Sequence, residues 1–319
     1  MVKKVAVLTS GGDAPGMNAA LRAVIRAGLF NGLEMYVIYG GYKGLVEGNI
    51  HQVNKDFTAD IINRGGTILQ SSRLPEFKEE AVQKQAAQRL SDFDIDALVG
   101  IGGDGTYRGL SALSKHGVKV IGIPGTIDND VASSDYTIGF MTALNTICDC
   151  IDKIKDTSTS HQRCSVVEVM GRHCGDLAMF CSVAEAAELT LTNEDPLNEE
   201  KIFKRLRKLK AQKKSHAIVV VSENLLDVKE LGKKIQDETG FDTNVEVLGH
   251  LQRGGAPCAF DRILASQMGS LAISELLEGR DGEVIGSIDN KIVAIKIDEA
   301  LAMPRKTHED FSKLIKMLQ

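Results

Sequence analysis

Thr126, Asp128 and Asp130 stand at every second position of the segment Gly125-Thr126-Ile127-Asp128-Asn129-Asp130. In an extended loop, residues two apart point to the same side. Two carboxylates and a hydroxyl then face one space. One carboxylate can accept the proton of an attacking hydroxyl while the other helps to place a metal or a substrate. Asp and Asn are also turn formers, so the spacing alone is equally the mark of a cap-and-turn cluster.

Two glycine-rich segments precede it. Gly11-Gly12-Asp13-Ala14-Pro15-Gly16-Met17-Asn18 and Gly102-Gly103-Asp104-Gly105-Thr106 each follow an apolar run and open an amphipathic stretch. Glycine lets a backbone approach a phosphate closely, and the N–H groups of a helix start attract anions. Neither segment is Gly-x-Gly-x-x-Gly or a P-loop ending in Gly-Lys-Ser/Thr. Asp104 is a hard oxygen ligand suited to Mg²⁺, or else a helix cap. Phosphoryl transfer also needs cations where charge develops. Arg73, Arg163, Arg172 and Arg253 lie beside such turns or predicted strand ends, with His250 three residues before Arg253. Arginine in such places serves as a phosphate clamp more often than elsewhere on a surface.

Elements that could position these groups are legible in the hydrophobic pattern. Strands are predicted at Val5–Leu8, Ala97–Ile101, Val118–Ile123, Ser165–Met170, Ala217–Val221 and Val245–Leu248. Helices are predicted at Met17–Leu29, Tyr107–Ser114, Thr142–Lys155, Gly175–Ala187, Glu199–Gln212, Val228–Thr239 and Phe260–Glu278. Alternation of this kind implies an α/β fold with parallel sheets and helices on both faces. Ligands of such sheets bind beyond the carboxyl ends of the strands. If the first three strands share a sheet, the turns at Gly11, Gly102 and Gly125 converge on one crevice. The 319 residues suit two domains, with no Pro- or Ser-rich linker between them.

The net charge of -5 argues against a nucleic-acid partner. The one basic stretch, Lys201 to Lys214, reads as a solvated helix face. Six cysteines without a Cys-x-x-Cys pair read as free thiols in a reducing compartment. No apolar run approaches the roughly 20 residues of a membrane helix. The N-terminal apolar run is too short for a signal peptide, and a cytoplasmic location is expected.

Taken together, these segments resemble the bacterial ATP-dependent 6-phosphofructokinases from end to end. The likeness lies in Leu8-Thr9-Ser10-Gly11-Gly12-Asp13-Ala14-Pro15-Gly16-Met17-Asn18, Gly102-Gly103-Asp104-Gly105 and Pro124-Gly125-Thr126-Ile127-Asp128-Asn129-Asp130. It continues in Ser160-His161-Gln162-Arg163, Val169-Met170-Gly171-Arg172 and Gly249-His250-Leu251-Gln252-Arg253-Gly254-Gly255. The resemblance implies two similar three-layer α/β/α, Rossmann-like domains with mostly parallel sheets. Residues 1–138 plus about 254–305 would bind ATP, and 139–253 plus about 306–319 the sugar phosphate.

The resemblance also implies residue roles. Gly12, Arg73, Gly103, Gly105 and Thr106 hold ATP, and Asp104 serves Mg²⁺. Asp128 is the base on the C1 hydroxyl of fructose 6-phosphate, Thr126 and Asp130 line the transfer site, and Arg172 stabilises the moving phosphoryl group. Met170, Gly171, Glu223, His250 and Arg253 bind the sugar phosphate. Arg163 acts across a subunit interface, so a homotetramer is expected. Arg22, Arg26, Lys55, Lys155, Lys213 and Lys214, with Glu188 through a metal, form an effector site for a nucleotide or phosphoenolpyruvate.

Departures from the family pattern, and one choice of donor, follow. Asn244 stands where the family usually has a second interface Arg on the sugar's 6-phosphate. Losing such a contact costs about 1.5–3 kcal/mol, or roughly 10- to 150-fold in affinity. Weaker fructose 6-phosphate binding is expected, or a different sugar such as tagatose 6-phosphate. Lys55 and Lys155 replace Arg, which removes the bidentate fork. Gln212 replaces Lys and Glu185-Ala186-Ala187 a Gly-rich stretch, so effector control should be weak or altered. Pyrophosphate-using relatives carry Asp at the position of Gly105 and Lys at that of Gly125, so two glycines here favour ATP. An NAD- or lipid-type kinase shares only the Gly-Gly-Asp-Gly turn. A non-catalytic sensor is at odds with the retention of Asp104, Asp128 and Arg172.

Overall fold

The computed structural model describes residues 2–196, 198–305 and 308–318. The chain begins with β1 (Lys4–Thr9), α1 (Met17–Phe30), β2 (Glu34–Ile38), α2 (Gly41–Glu47), β3 (Ile50–Val53) and α3 (Glu80–Asp92). It continues through β4 (Ala97–Gly102), α4 (Asp104–Ser114), β5 (Lys119–Thr126), β6 (Ile138–Gly139) and α5 (Phe140–His161). Next come β7 (Cys164–Val169), α6 (Asp176–Ala184), β8 (Leu189–Leu191), α7 (Glu199–Ala211), β9 (Ala217–Ser222), α8 (Val228–Thr239) and β10 (Thr243–Val247). The last are α9 (Ala259–Leu277), β11 (Glu283–Ile288), β12 (Lys291–Lys296), α10 (Ile297–Ala302) and α11 (Glu309–Leu318). Two compact units result, Met1–Thr142 with Arg253–Arg305 and Ala143–Gln252 with Lys306–Gln319.

The first unit is built on an eight-stranded sheet in the order β12-β11-β5-β4-β1-β2-β3, with β6 paired to β5. Among the described residues, only the outer pairs β2–β3 and β11–β12 are antiparallel. Buried parallel strands read as continuous apolar runs, and β1 and β4 do so, being buried at every residue except Lys4. Edge strand β12 keeps Lys291 and Lys296 exposed at its ends, the charge pattern that blunts a sheet edge.

The second unit has four strands, all parallel, in the order β10-β7-β9-β8. Helix α8 spans the predicted Val228–Thr239, because its ends are written locally. The Asp227 side chain accepts from the N–H groups of Lys229 and Glu230, and Gly240 ends the helix in the left-handed region. In α7, Ile202, Phe203, Leu206 and Leu209 are buried, and the lysines of that stretch are exposed, as its reading as a solvated face requires.

The sheet order settles the condition raised by the sequence. Strands β5, β4 and β1 are consecutive and parallel, so their carboxyl-terminal turns share one edge. Two boundaries differ in ways that matter. β5 runs on to Thr126 because Gly125 and Thr126 pair with Ile138 and Gly139 of β6, so Gly125 is a strand residue rather than a loop residue. α4 starts at Asp104 rather than Tyr107, because the Gly103 carbonyl accepts from the N–H groups of Thr106 and Tyr107.

Candidate active site

The turn after β1 is stitched to its neighbour by Ser10, whose N–H donates to the Ile101 carbonyl at 3.0 Å. Gly11 and Gly16 take φ of +87° and +105°, a region that L side chains rarely enter. Residues 69–73 run beside this turn. Thr9 Oγ1 donates to the Gln70 carbonyl at 2.9 Å and Ser71 Oγ to the Gly11 carbonyl at 2.7 Å, which brings the exposed Arg73 to this edge. Buried Asn18 holds the preceding loop by donating to the carbonyls of Arg64 and Gly66 and accepting from Ile68 N–H. Arg253 covers Gly12, where a Cβ would collide with its guanidinium. Its Nη1 lies 3.8 Å from Asp13 Oδ1, and its buried Nε has no partner among the described residues.

The second turn interlocks with the first. A Cβ on Gly102 would collide with the Ser10 carbonyl and with Thr106 Oγ1, and that hydroxyl donates to the same carbonyl at 3.3 Å. Gly105 differs from Gly102, because a Cβ there meets nothing within 4 Å. Asp104 opens α4 and accepts from Arg108 Nη2 at 3.0 Å through Oδ2, an exposed pair one turn apart. Mg²⁺ is usually held by one or two carboxylates together with substrate phosphates and waters. One accessible carboxylate at the start of a helix that favours anions therefore fits a cation brought in with a nucleotide.

The third turn is not the extended loop expected from its spacing. Asn129 takes a φ of +54°, which interrupts the two-residue alternation between Asp128 and Asp130. The cause is its side chain. Asn129 Oδ1 accepts from Thr137 N–H at 3.0 Å, and Nδ2 donates to the Asp135 carbonyl at 3.1 Å. Asp128 is 7% exposed and its N–H donates to Thr126 Oγ1 at 3.2 Å. A Cβ on Gly103 would stand 3.8 Å from Thr126 Cβ, so the second and third turns adjoin.

In the second unit, β7 ends in another turn. Gly171 and Arg172 have φ of +135° and +58°, and Glu223 Oε1 accepts from both of their N–H groups, at 3.2 and 2.7 Å. Asn224 Nδ2 donates to the Arg172 carbonyl at 3.4 Å, and the Arg172 side chain is exposed. Buried Gln252 accepts from Met170 N–H at 3.0 Å and donates to the Gly249 carbonyl at 2.9 Å. His250 is exposed in that short 3-10 turn. At the other end of the sheet, Arg163 Nε donates to Asp242 Oδ2 at 2.5 Å, and Asn244 follows on β10 opposite Ser165.

The residues expected at an effector site fall into two groups. In the first unit, Arg22 and Arg26 line a cavity of about 500 Å³ with Thr58, Asp60, Asn63 and Arg262, and Arg26 Nε donates to Thr58 Oγ1. Lys55 is exposed in the adjoining 3-10 turn. In the second unit, Lys155 pairs with buried Glu185 and Lys214 with buried Glu188. Glu188 Oε2 also accepts from Ile218 N–H at 2.5 Å. Lys213 is exposed and has a φ of +57°. Burial, reinforced by Glu185, pushes the Cys148 thiol up to about 12.

Several supporting residues escaped the sequence reading as individuals. Asn18, Asn129 and Gln252 sit inside the quoted motifs, which was their only signal. Asp261 had none. From α9 it accepts from Gly139 N–H, Thr142 N–H and Thr142 Oγ1 at 3.0, 2.8 and 2.5 Å, groups more than a hundred positions earlier. Burial raises its pKa, and these hydrogen bonds oppose the rise.

Comparison with known proteins gives consistent matches. A family model described as Phosphofructokinase matches residues 4–276. The ATP-dependent 6-phosphofructokinase of Photobacterium profundum is 52% identical over 315 residues, 98% of either chain. That of Vibrio campbellii is 49% identical over 319 residues, 100% of either chain. Among solved structures, Pichia pastoris phosphofructokinase in the T-state superposes with a TM-score of 0.90 at 36% identity, covering 100% of this chain and 37% of that one.

Proposed function

Because the chain belongs to the phosphofructokinase family, we propose that its first unit binds ATP at the carboxyl ends of β1, β4 and β5 and that Asp128 there serves fructose 6-phosphate phosphorylation as the base. The observation that carries this reading is the adjacency of three parallel strands whose turns bring together Gly105, where a Cβ would meet nothing within 4 Å, and the buried carboxylate of Asp128.

In this reading the backbone at Gly12 and from Gly103 to Thr106, at the start of α4, cradles the phosphates. Arg73 adds a cation. Asp104 holds Mg²⁺, which supplies charge neutralisation on the donor's phosphate oxygens. Asp128 takes the proton of the C1 hydroxyl as that oxygen bonds to the γ-phosphorus, and ADP departs with the electrons of the broken P–O bond. Thr126 and Asp130 line the same turn. Arg163, Met170, Gly171, Arg172, Glu223, Asn244, His250 and Arg253 are assigned to the acceptor and to developing charge. Arg22, Arg26, Lys55, Lys155, Glu188, Lys213 and Lys214 are assigned to an effector, and a homotetramer is the assembly in which Arg163 would serve a neighbouring subunit.

The open space at Gly105 supports ATP as donor. A side chain there would project where a nucleotide's inner phosphate must pass, whereas Gly leaves it clear. A coupled assay of ADP release dependent on fructose 6-phosphate tests the whole. Asp128→Asn should lower kcat by about 10²- to 10⁴-fold. Undiminished activity of that variant would refute the base. Turnover with pyrophosphate comparable to that with ATP would refute the donor, and a panel including tagatose 6-phosphate fixes the acceptor.

A further inference from the structure

The Asn129 side chain ties together the two arms of the turn that carries Asp128. β5 and β6 pair at Gly125–Ile138 and Thr126–Gly139, so residues 127–137 leave and return at one point. Inside that loop Asn129 is 5% exposed and Thr137 is fully buried. Asn129 Nδ2 donates to the Asp135 carbonyl at 3.1 Å, while Oδ1 accepts from Thr137 N–H at 3.0 Å and from Thr137 Oγ1 at 3.3 Å. The single Thr137 hydroxyl proton is shared between that contact and the Thr126 carbonyl, 2.7 Å away and the nearer acceptor. The far rim is anchored to β11, where Asp135 N–H donates to the Ser287 carbonyl at 2.6 Å and Ser287 N–H to Ser134 Oγ at 2.9 Å. Gly286 leaves no room for a Cβ beneath the Ser133 carbonyl.

Position 129 needs three properties together. Its φ of +54° favours Gly, Asn or Asp. Its outward bond needs a donor, which ionised Asp lacks. Its inward bonds need an acceptor, which Gly lacks. Asn alone supplies all three. The residue before it is Asp128, so the strap fixes the backbone from which the carboxylate projects.

We propose that Asn129, strapped to Thr137, is the positioning residue that holds Asp128 in its reactive geometry. This rests on the reading of Asp128 as the base. A strap that sets orientation acts on the chemical step and leaves substrate affinity alone, because misplacement by about 1 Å can cost roughly a hundredfold in rate.

Steady-state kinetics and thermal unfolding of the full chain test it. Asn129→Gly keeps the left-handed backbone and deletes the strap. It should lower kcat by roughly 10- to 100-fold, with KM for ATP and fructose 6-phosphate within about twofold of the parent. Thr137→Val keeps the N–H bond and deletes the hydroxyl, and should give a smaller fall in kcat, while Thr137→Ser restores it. If Asn129→Gly does not fold, the Thr137 pair decides alone. An unchanged kcat in Asn129→Gly, or in Thr137→Val where Asn129→Gly does not fold, overturns the proposal. So does a fall in which KM values and folded fraction move together. Asp128→Asn separates the two ideas. If it is inactive while Asn129→Gly and Thr137→Val are fully active, the strap is wrong and the base stands. If Asp128→Asn is itself active, the base is wrong.

Discussion

The two units share a parallel strand-helix plan and present their functional groups in opposite ways. In the first unit the candidate phosphate-binding groups are largely backbone. Gly11, Gly102 and Gly105 are there for what they lack, a Cβ, and the turns are held by Ser10, Thr106 and Asn18 from behind. In the second unit the candidate groups are charged side chains, several with a partner of their own. Arg163 is on Asp242, Glu223 on the Gly171–Arg172 turn, Lys155 on Glu185 and Lys214 on Glu188. A backbone cradle is preorganised and has little to give up when an anion arrives. Side chains already in ion pairs must exchange a partner, and that exchange reduces what a ligand gains.

The sharpest way to break this comparison is to add one methyl group at two glycines of the same motif. Gly102→Ala forces a Cβ into the Ser10 carbonyl and Thr106 Oγ1. It should destabilise the chain by about 1–3 kcal/mol. It should also lower kcat/KM for ATP by roughly a hundredfold or more as the two turns separate. Gly105→Ala enters open space and should change stability by less than about 0.5 kcal/mol while still weakening ATP. Urea unfolding with ATP titration reads both. Equal stability losses would show that the glycines do not divide into packing and ligand roles.

The second unit is tested at Asn244. Asn244→Arg adds a cation on β10, two residues after Asp242, and should lower KM for fructose 6-phosphate by roughly 10- to 150-fold. Asp242→Asn frees Arg163 from a half-exposed pair and should lower it by no more than about fivefold. No change in either would remove these positions from the acceptor's surroundings. A smaller effect lies at Glu223. Glu223→Ala leaves the Gly171 and Arg172 N–H groups to water and should destabilise the chain by about 1 kcal/mol, with Glu223→Gln retaining most of the stability because its Oε1 still accepts.

What was legible follows the same division. Gly spacing after apolar runs announced the three turns and their strands, because both signals are local. Strands β2, β3, β11 and β12 carried none strong enough to assign. β2 and β3 lie at one end of the sheet, and β11 and β12 are recruited from the far end of the chain. The left-handed Asn129 was invisible because the reason for it, Thr137, depends on the β5–β6 pairing. Asp261 and the carboxylate partners of Arg163 and Lys155 were invisible for a similar reason. A charge in a sequence announces itself, but its partner is chosen by the fold.

The smallest expected effect is a pH dependence confined to the second unit. Glu168 on β7 has its pKa raised, first by burial and then by the charges of Glu223 and Asp227. A carboxyl with a raised folded pKa contributes stability that is fully present below its unfolded value of about 4.5 and is lost as pH rises through the folded value. At neutral pH the ionised Glu168 therefore weakens the unit that carries Glu223. Glu168→Gln should stabilise the chain at pH 7 by no more than about 0.5 kcal/mol, since the group is only partly buried and water still screens its charge. The advantage should shrink as pH falls towards 4.5 and vanish below it. Added salt should shrink it too, by screening Glu223 and Asp227. A Glu168→Gln curve parallel to the parent's at every pH would mean that the acidic groups of the second unit do not feel one another. The contrast between a backbone cradle and a charge-built surface would then lose its electrostatic half.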